Sequence, residues 1–557
     1  MKRFALFLAL CTSFAYAEVS YNLQPDIPSQ TVQVRIRVED PGTQPEFRIP
    51  AWSPGWYVLT NCEKYVSDVR ATSVDGKELR ITHVDAHGWL VDNPSKGAVA
   101  FTYRVLGDEP GLGSDRVHVD RRSTFVNGPA ALMYLKGRIT DSTKLTIEVP
   151  EKWDVATAMV KQDGKYVAAD YDELIDSPIQ LGIMQRKSFQ IGPTPFEVVY
   201  VSKNEVPNAD LDFETNRIKI LSKPALKLFG AASFKKYLYI IHISNGIWEQ
   251  GLEHCASTVL DVTDAKPLNI DELVTHEYFH AWNVKQIRPK VLGPFDYTQP
   301  CRTKNLWFAE GVTDYYGYLC VYRSGLQEEP RFLYEMSREV STLQRCRTRL
   351  RIPLDKACFE TWEHGGFGYD DLSYYNKGLL VGLILDAAII ESTDGAKSLD
   401  DVMRSMYAKY RMPHAGFEED AILKEVNTVA GKDLTQLYDS MVGTVEELPY
   451  DVLQSAIGIR VLVPGEYYYR SGFTTQNNVV KTVEKGLIGD GLHIGDEVVT
   501  TRRPNQQGYY EVDVLRSGKA ITVKLQAIAF TASAYVVERD PFASAQIILR
   551  RSKWLSR

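Results

Sequence analysis

Hydrophobic periodicity changes twice along this 557-residue chain, and the two changes decide what it can fold into. From Val19 to about Val201 apolar and polar residues alternate in short runs. Thr31 to Val38 (TVQVRIRV) is the clearest, and Ala98 to Val105, Lys144 to Val149 and Phe196 to Val201 follow it, with Gly, Pro and Asp between. A period of two puts every second side chain on one face, the pattern of half-buried strands. Such spacing predicts an all-β sandwich or open barrel-like domain. From about Asn269 the period becomes helical and stays mostly so to about Met441. After Leu448-Pro449 strands return at Gly458 to Val463, Val479 to Val483 and Ile521 to Leu525. The chain thus reads as a multidomain α+β protein: an N-terminal all-β domain over 18–195, a mostly helical domain over 196–445 and a β-rich domain over 446–557. Its length is too great for one core, which agrees with several domains.

Residues 1–17 read separately. Met1-Lys2-Arg3 is a basic start, Phe4 to Phe14 is an apolar run, and Ala15-Tyr16-Ala17 offers small residues around a cleavage point. That order is a signal peptide, and it implies an exported protein, periplasmic or secreted, whose mature chain begins at Glu18. The run is too short to span a bilayer, and Leu379 to Ile390 is interrupted by Asp386, so no membrane-spanning segment is expected in the mature chain. Cys62, Cys255, Cys301, Cys320, Cys346 and Cys358 remain after cleavage. An even count permits disulfides, and buried free thiols are equally open. No pair has CxxC spacing, which argues against a thiolate zinc site. The net charge of −7 is unclustered and argues against nucleic acid as a partner.

The chemistry concentrates in Asn269 to Asn283, NIDELVTHEYFHAWN. Asn269 is placed to cap a helix, with Glu272 completing a capping box, and Pro289 to end it. His276 and His280, four residues apart, then share one helix face. Two neutral imidazoles so placed can hold one Zn2+ at about 2.0–2.1 Å. A second helix starting near Asn305 and antiparallel to the first brings Glu310 as a third ligand. Asp314, one turn on, is placed to accept the free N–H of a ligand histidine. Surface histidines and a solvated acidic face are the plain alternatives. The succession of two complementary patterns in apolar surroundings favours the metal site. Two His and one Glu leave a position open, as catalytic zinc does. A metal there lowers the pKa of its water to about 7 and polarises a carbonyl, with Glu277 as general base. Ligand type favours zinc over cobalt or manganese.

HExxH followed by ExxxD is the gluzincin signature. The fuller strings HEYFHAWNVKQIRP and LWFAEGVTDYY resemble the glycyl aminopeptidase family of zinc metallopeptidases. Members of that family join a thermolysin-like catalytic domain to a C-terminal PDZ domain. PAWSPGWY at Pro50 to Tyr57, DRRSTFVNG at Asp120 to Gly128 and EELPYD at Glu446 to Asp451 extend the resemblance over nearly the whole mature chain. It implies a zinc aminopeptidase that releases small, Gly- or Ala-type residues from the N-termini of peptides. Tyr374 to Gly378 resembles the Tyr-x-Lys-Gly element of related aminopeptidases, which implies that the Tyr375 hydroxyl hydrogen-bonds the developing oxyanion. Gly251 to His254 resembles their cleft strand, which implies that Glu253 pairs with the substrate's free α-amine. Gln250 stands where the family usually has a second glycine. Gly491 to Thr500 resembles the glycine-aspartate turn of a PDZ domain, with Ser471 to Thr474 nearest to its peptide-binding loop, so a peptide ligand for that domain is a further expectation. Two rivals stay open. One is an endopeptidase using the same zinc, with Glu253 merely bounding the cleft. The other is a peptide-binding or quality-control protein with vestigial catalysis.

Overall fold

A computed structural model describes residues 18–107, 116–230, 232–244, 249–476, 478–484 and 491–557. The expected signal peptide, 1–17, lies outside the described residues. The chain divides into two compact units. The first is Met1–Pro54, Thr60–Gln185 and Val199–Ser202; the second is Gly55–Leu59, Arg186–Val198 and Lys203–Arg557.

The first unit is almost entirely β. Its largest sheet runs Val160–Gln162, Lys165–Ala168, Thr143–Ile147, Val19–Asp26, Thr31–Val38, Val99–Leu106 and Val66–Ser73 in spatial order. Strand Thr31–Val38 shows why this register holds. Val32, Val34, Ile36 and Val38 are wholly buried, while Arg35 and Arg37 are exposed. A one-residue slip would exchange those two sets. Two four-stranded sheets complete the unit.

The second unit holds strands Tyr237–Ser244 and Ser257–Thr263 and the edge strand Gln250–Glu253 of a five-stranded sheet, the edge strand pairing antiparallel with Ser257–Thr263. Helices α1 (Asp271–Phe279), α2 (Val312–Ser324), α3 (Glu329–Arg345) and α4 (Tyr374–Ser392) follow. Phe332, Met336, Val340 and Leu343 line the buried stripe of α3, the helical spacing of an amphipathic face. Helix α4 is buried on nearly every side, so its apolar run belongs to the core. Its interruption, Asp386, is wholly buried and accepts hydrogen bonds from Tyr315 Oη (2.6 Å), Leu399 N (2.7 Å) and Trp554 Nε1 (3.0 Å). No described helix is long and apolar enough to cross a membrane. Cys301, Cys320, Cys346 and Cys358 are buried free thiols.

Beyond the short helix Asp451–Ile457 the chain forms a second five-stranded sheet, Phe473–Gln476, Val479–Val483, Glu497–Thr501, Tyr509–Arg516 and Lys519–Gln526, each strand antiparallel to the next. Val480, Tyr510, Val512, Val514 and Leu525 form its core. The closing helix α5 (Ala545–Ser556) carries Trp554 back to Asp386 of α4.

Two local expectations are corrected. Asn269 does not cap α1: the cap position is Ile270, without a side-chain bond, and Asn269 Nδ2 donates to Glu249 Oε2 instead (3.2 Å). Nor does α1 run to Pro289. It ends at Phe279, with His280 as its cap. The cause is tertiary. Asn283 is tied through Nδ2 to Phe308 O (2.8 Å) and Thr313 Oγ1 (3.1 Å), and His280 Nδ1 bonds Asn283 O at 2.6 Å, so the chain turns out of the helix.

Candidate active site

Helix α1 and the segment from Trp307 to Gly317 meet in reversed order. Thr275 Oγ1 donates to Gly317 O (2.9 Å), His276 Nδ1 lies 2.7 Å from Asp314 Oδ1, and His280 Nε2 lies 3.1 Å from Glu310 Oε2. Rising numbers on one element meet falling numbers on the other, so the two run antiparallel. The helix expected to start near Asn305 begins close to that position, but its first turn, which carries Glu310, is not α-helical. Trp307–Gly311 is a π-helical turn that leads into α2, a widened turn often found at functional sites.

The donor atoms converge. His276 Nε2 and His280 Nε2 are 2.9 Å apart, and Glu310 Oε2 is 3.1 Å from the second and 3.9 Å from the first. Ligands about 2.0–2.1 Å from a tetrahedral zinc lie about 3.3 Å from one another, so these spacings fit one such ion. Each imidazole has its Nδ1 directed outward, to Asp314 or to the Asn283 carbonyl. That leaves both Nε2 lone pairs facing inward. Two such lone pairs at contact distance repel unless a shared proton or a metal cation stands between them. All three residues are buried.

Electrostatics sharpen the picture. Burial disfavours a charged His276, but the carboxylates of Asp314, Glu277 and Glu272 together outweigh it and raise the imidazole well above its ordinary value. Burial likewise opposes a charged Glu310, yet His280, His276 and the Tyr57 hydrogen bond together hold its carboxyl below the usual range. Burial pushes the Glu277 carboxyl up to about 7, with His276 and His280 pulling the other way. A divalent cation at the three ligands would pull it down further. Glu272 turns toward His276 and Asp314 rather than toward a cap, and burial together with the Asp314 charge pushes it up.

The remaining expected residues line one cavity of about 430 Å3 with these groups, within the size range of small-ligand sites. Glu253 is 4% exposed, and Lys285 Nζ lies 3.6 Å from its Oε1. Tyr375 is the second residue of α4, its ring stacked 6.3 Å from that of His276. Gln250 donates from Nε2 to Asp261 Oδ2 (2.8 Å), directly across the strand pair. Strand alternation therefore turns its side chain to the face opposite Gly251 and Glu253.

Tyr57 has no role in the sequence reading. It is buried, and its hydroxyl donates to Glu310 Oε1 at 3.2 Å. One carboxylate oxygen is thereby held while the other faces the histidines. The only signal for it is the PAWSPGWY string, whose likeness to the family carries no indication of what the tyrosine touches.

Residues 20–183 match the Peptidase M61 N-terminal domain, and residues 269–381 match M61 glycyl aminopeptidase. None of the curated proteins compared with the chain matches it. Among solved structures, an aminopeptidase N family protein from Idiomarina loihiensis aligns over 96% of this chain and 100% of its own, with a TM-score of 0.76 and 22% identity. An M1 zinc metallopeptidase variant from Deinococcus radiodurans, bound to a Tyr-Ser-Ala substrate, aligns over 78% of this chain and 95% of its own, with a TM-score of 0.50 and 15% identity. At these identities the likeness is one of fold.

Proposed function

We propose that this chain, which carries Peptidase M61 family domains, is a zinc-dependent metalloaminopeptidase. The observation that carries the reading is the convergence of His276, His280 and Glu310 at the spacing of one tetrahedral ion, on a cavity that Glu277, Glu253 and Tyr375 also line. When bound, zinc supplies Lewis-acid polarisation of a peptide carbonyl and a water of lowered pKa.

Each protein group then has a task set by its position. Asp314 and the Asn283 carbonyl hold the two imidazoles in the tautomer that presents Nε2 inward. Tyr57 orients Glu310. Glu277 Oε accepts a proton on the attacking side and returns it to the leaving amine, a role suited to a buried carboxylate beside the ligands. The Tyr375 hydroxyl donates to the oxygen on which charge develops. Glu253 receives the substrate's α-ammonium in a charge-assisted bond. That contact makes the enzyme an exopeptidase. The family resemblance adds small first residues, and the N-terminal segment adds export to the periplasm or medium. The C-terminal sheet ends in Phe473–Gln476, whose last three residues are exposed. Such an edge suits a PDZ-like module that binds peptide by strand addition.

Metal analysis of the purified protein, with turnover of Gly-, Ala- and Leu-arylamides and their N-acetyl counterparts before and after chelation, tests the reading. One equivalent of zinc and chelator-sensitive cleavage of only the free-amine substrates is the expected result. Equal cleavage of acetylated peptides would replace it with an endopeptidase, and absence of both zinc and cleavage would leave only a binding protein. Glu277→Gln should keep the zinc and lose several orders of magnitude in kcat.

A further inference from the structure

Resting on the aminopeptidase reading, we propose that Trp56 and Phe367 form an aromatic clasp at the mouth of the cavity, which takes an apolar side chain on the second residue of the substrate. Phe367 is 52% exposed, a large apolar ring left in solvent that the packing of the core does not require. Its ring meets the Trp56 indole edge-on at 5.4 Å and lies 6.0 Å from the Tyr375 ring. Tyr375 in turn stacks on His276. A ladder of rings therefore runs from the exposed rim to a histidine of the candidate metal site.

The backbone is built to hold Phe367 there. Gly365 and Gly366 before it both have φ of 86°, and Gly368 after it has φ of 154°. A side chain at Gly368 would place its Cβ 1.9 Å from Leu372 O, so only glycine fits this turn. Tyr374 Oη donates to Gly366 O and pins the loop to the start of α4. On the opposite wall Trp56 sits between two residues already engaged in the site. Gly55 abuts the Glu253 carboxylate, which a Cβ at that position would approach to 2.6 Å, and Tyr57 bonds Glu310. Gly55 turns the chain with a φ of 93°, and the half-buried Trp56 that follows lines the cavity together with Phe367.

Depth assigns the subsite. Glu310, Glu253 and Glu277 are 2%, 4% and 5% exposed, whereas the clasp is at the rim. A peptide whose α-amine reaches Glu253 has its first residue at the floor. The next side chain, just past the scissile bond, is the one that meets the aromatic pair. Gly365 and Gly366 bring no polar side chain, and the polar lining residues are engaged elsewhere: Glu249 accepts from Asn269, Gln250 donates to Asp261 and Ser373 accepts from Tyr375 N, so the ligand class at the rings is apolar or aromatic.

The test measures binding apart from turnover. Zinc-loaded Glu277→Gln protein is titrated calorimetrically with Ala-Phe amide and Ala-Ser amide, alone and with Phe367→Ala, Phe367→Leu or Trp56→Ala added. The parent should bind Ala-Phe amide roughly tenfold more tightly, as aromatic contact plus burial of a ring predicts. Phe367→Ala and Trp56→Ala should each bring the ratio to within about twofold, and Phe367→Leu should keep part of it. Equal affinities in the parent, or a ratio that survives both alanine substitutions, would overturn the clasp. Failure of the wild-type protein to cleave any free-amine peptide would sink the aminopeptidase reading instead, whatever the binding ratio.

Discussion

The sharpest test of how the site is assembled is Gly251→Ala. Gly251 lies on the edge strand directly beneath Glu277. A Cβ there would come within 2.3 Å of the Glu277 Cδ and Oε1 and 2.5 Å of its Cγ. Ordinary contact begins near 3.4 Å, so the carboxylate has to retreat by about 1 Å. What moves is the end of a flexible side chain, and alanine is the better strand residue by up to about 1 kcal/mol. The melting temperature should therefore change little. Catalysis should not be spared, because a misplacement of about 1 Å in a reacting group costs on the order of a hundredfold in rate. The three atoms nearest to the added methyl all belong to Glu277 rather than to a candidate ligand, so zinc content should stay at one equivalent. The assay is kcat and KM for Ala-arylamide, with metal analysis and a thermal melt on the same preparation. Activity within about threefold of wild type, with zinc and stability intact, would refute the reasoning, since Glu277 would then not be the base held by this strand. Loss of zinc would show that the effect passes through the ligands.

Other substitutions probe separate contacts. Tyr57→Phe removes the only hydroxyl bonded to Glu310 Oε1 among the described residues and should weaken zinc affinity by roughly tenfold or more in a chelator competition; unchanged affinity would make Tyr57 a packing residue. Glu310→Ala should lower zinc content outright, and full occupancy would require another third ligand. Tyr375→Phe should lower kcat with little change in KM, whereas a rise in KM alone would recast it as a positioning residue. Lys377 is 1% exposed, its Nζ has no hydrogen-bond partner among the described residues, and burial pulls its ammonium down to about 8 from 10.5. Between those values the unfolded chain binds the extra proton, so stability rises with pH, and below 8 the full penalty of about 3 kcal/mol is present. Lys377→Met should thus raise the melting temperature at pH 7, with the advantage shrinking from pH 8 toward 10.5; no gain at pH 7 would mean that the ammonium is solvated.

What was legible in the sequence was what depends on near neighbours. Val32 to Val38 alternate because one face of a strand is buried, and that pattern needs no knowledge of the partner strands. His276 and His280 share a face because a helical turn puts them there, and Glu310 and Asp314 are related in the same way. The errors fall where distant groups intervene. Asn269 is a good capping residue by type, but Glu249 competes for its amide. Pro289 is a sound terminator, yet the helix ends earlier because the Asn283 side chain bonds Phe308 O and Thr313 Oγ1. Gln250 stands where the family usually has glycine, and the register opposite Asp261 shows where its side chain goes, which the sequence alone does not say.

The same distinction explains why Tyr57 carries no local signal. A tyrosine in an aromatic, proline-flanked string has many ordinary reasons to be buried, and its partner Glu310 is 253 positions away. Its effect is nonetheless specific. A carboxylate on a flexible stem offers two equivalent oxygens and several rotamers, each of which a buried cation would otherwise have to select on binding. Holding Oε1 by a hydroxyl leaves Oε2 as the atom facing His280, and the Asn283 carbonyl does the corresponding thing for the imidazole of His280. The local motif supplies donors of the right kind. The nonlocal bonds reduce their freedom to the one arrangement that fits a single ion, and an HExxH helix lacking such ties would bind metal more weakly with every ligand still present.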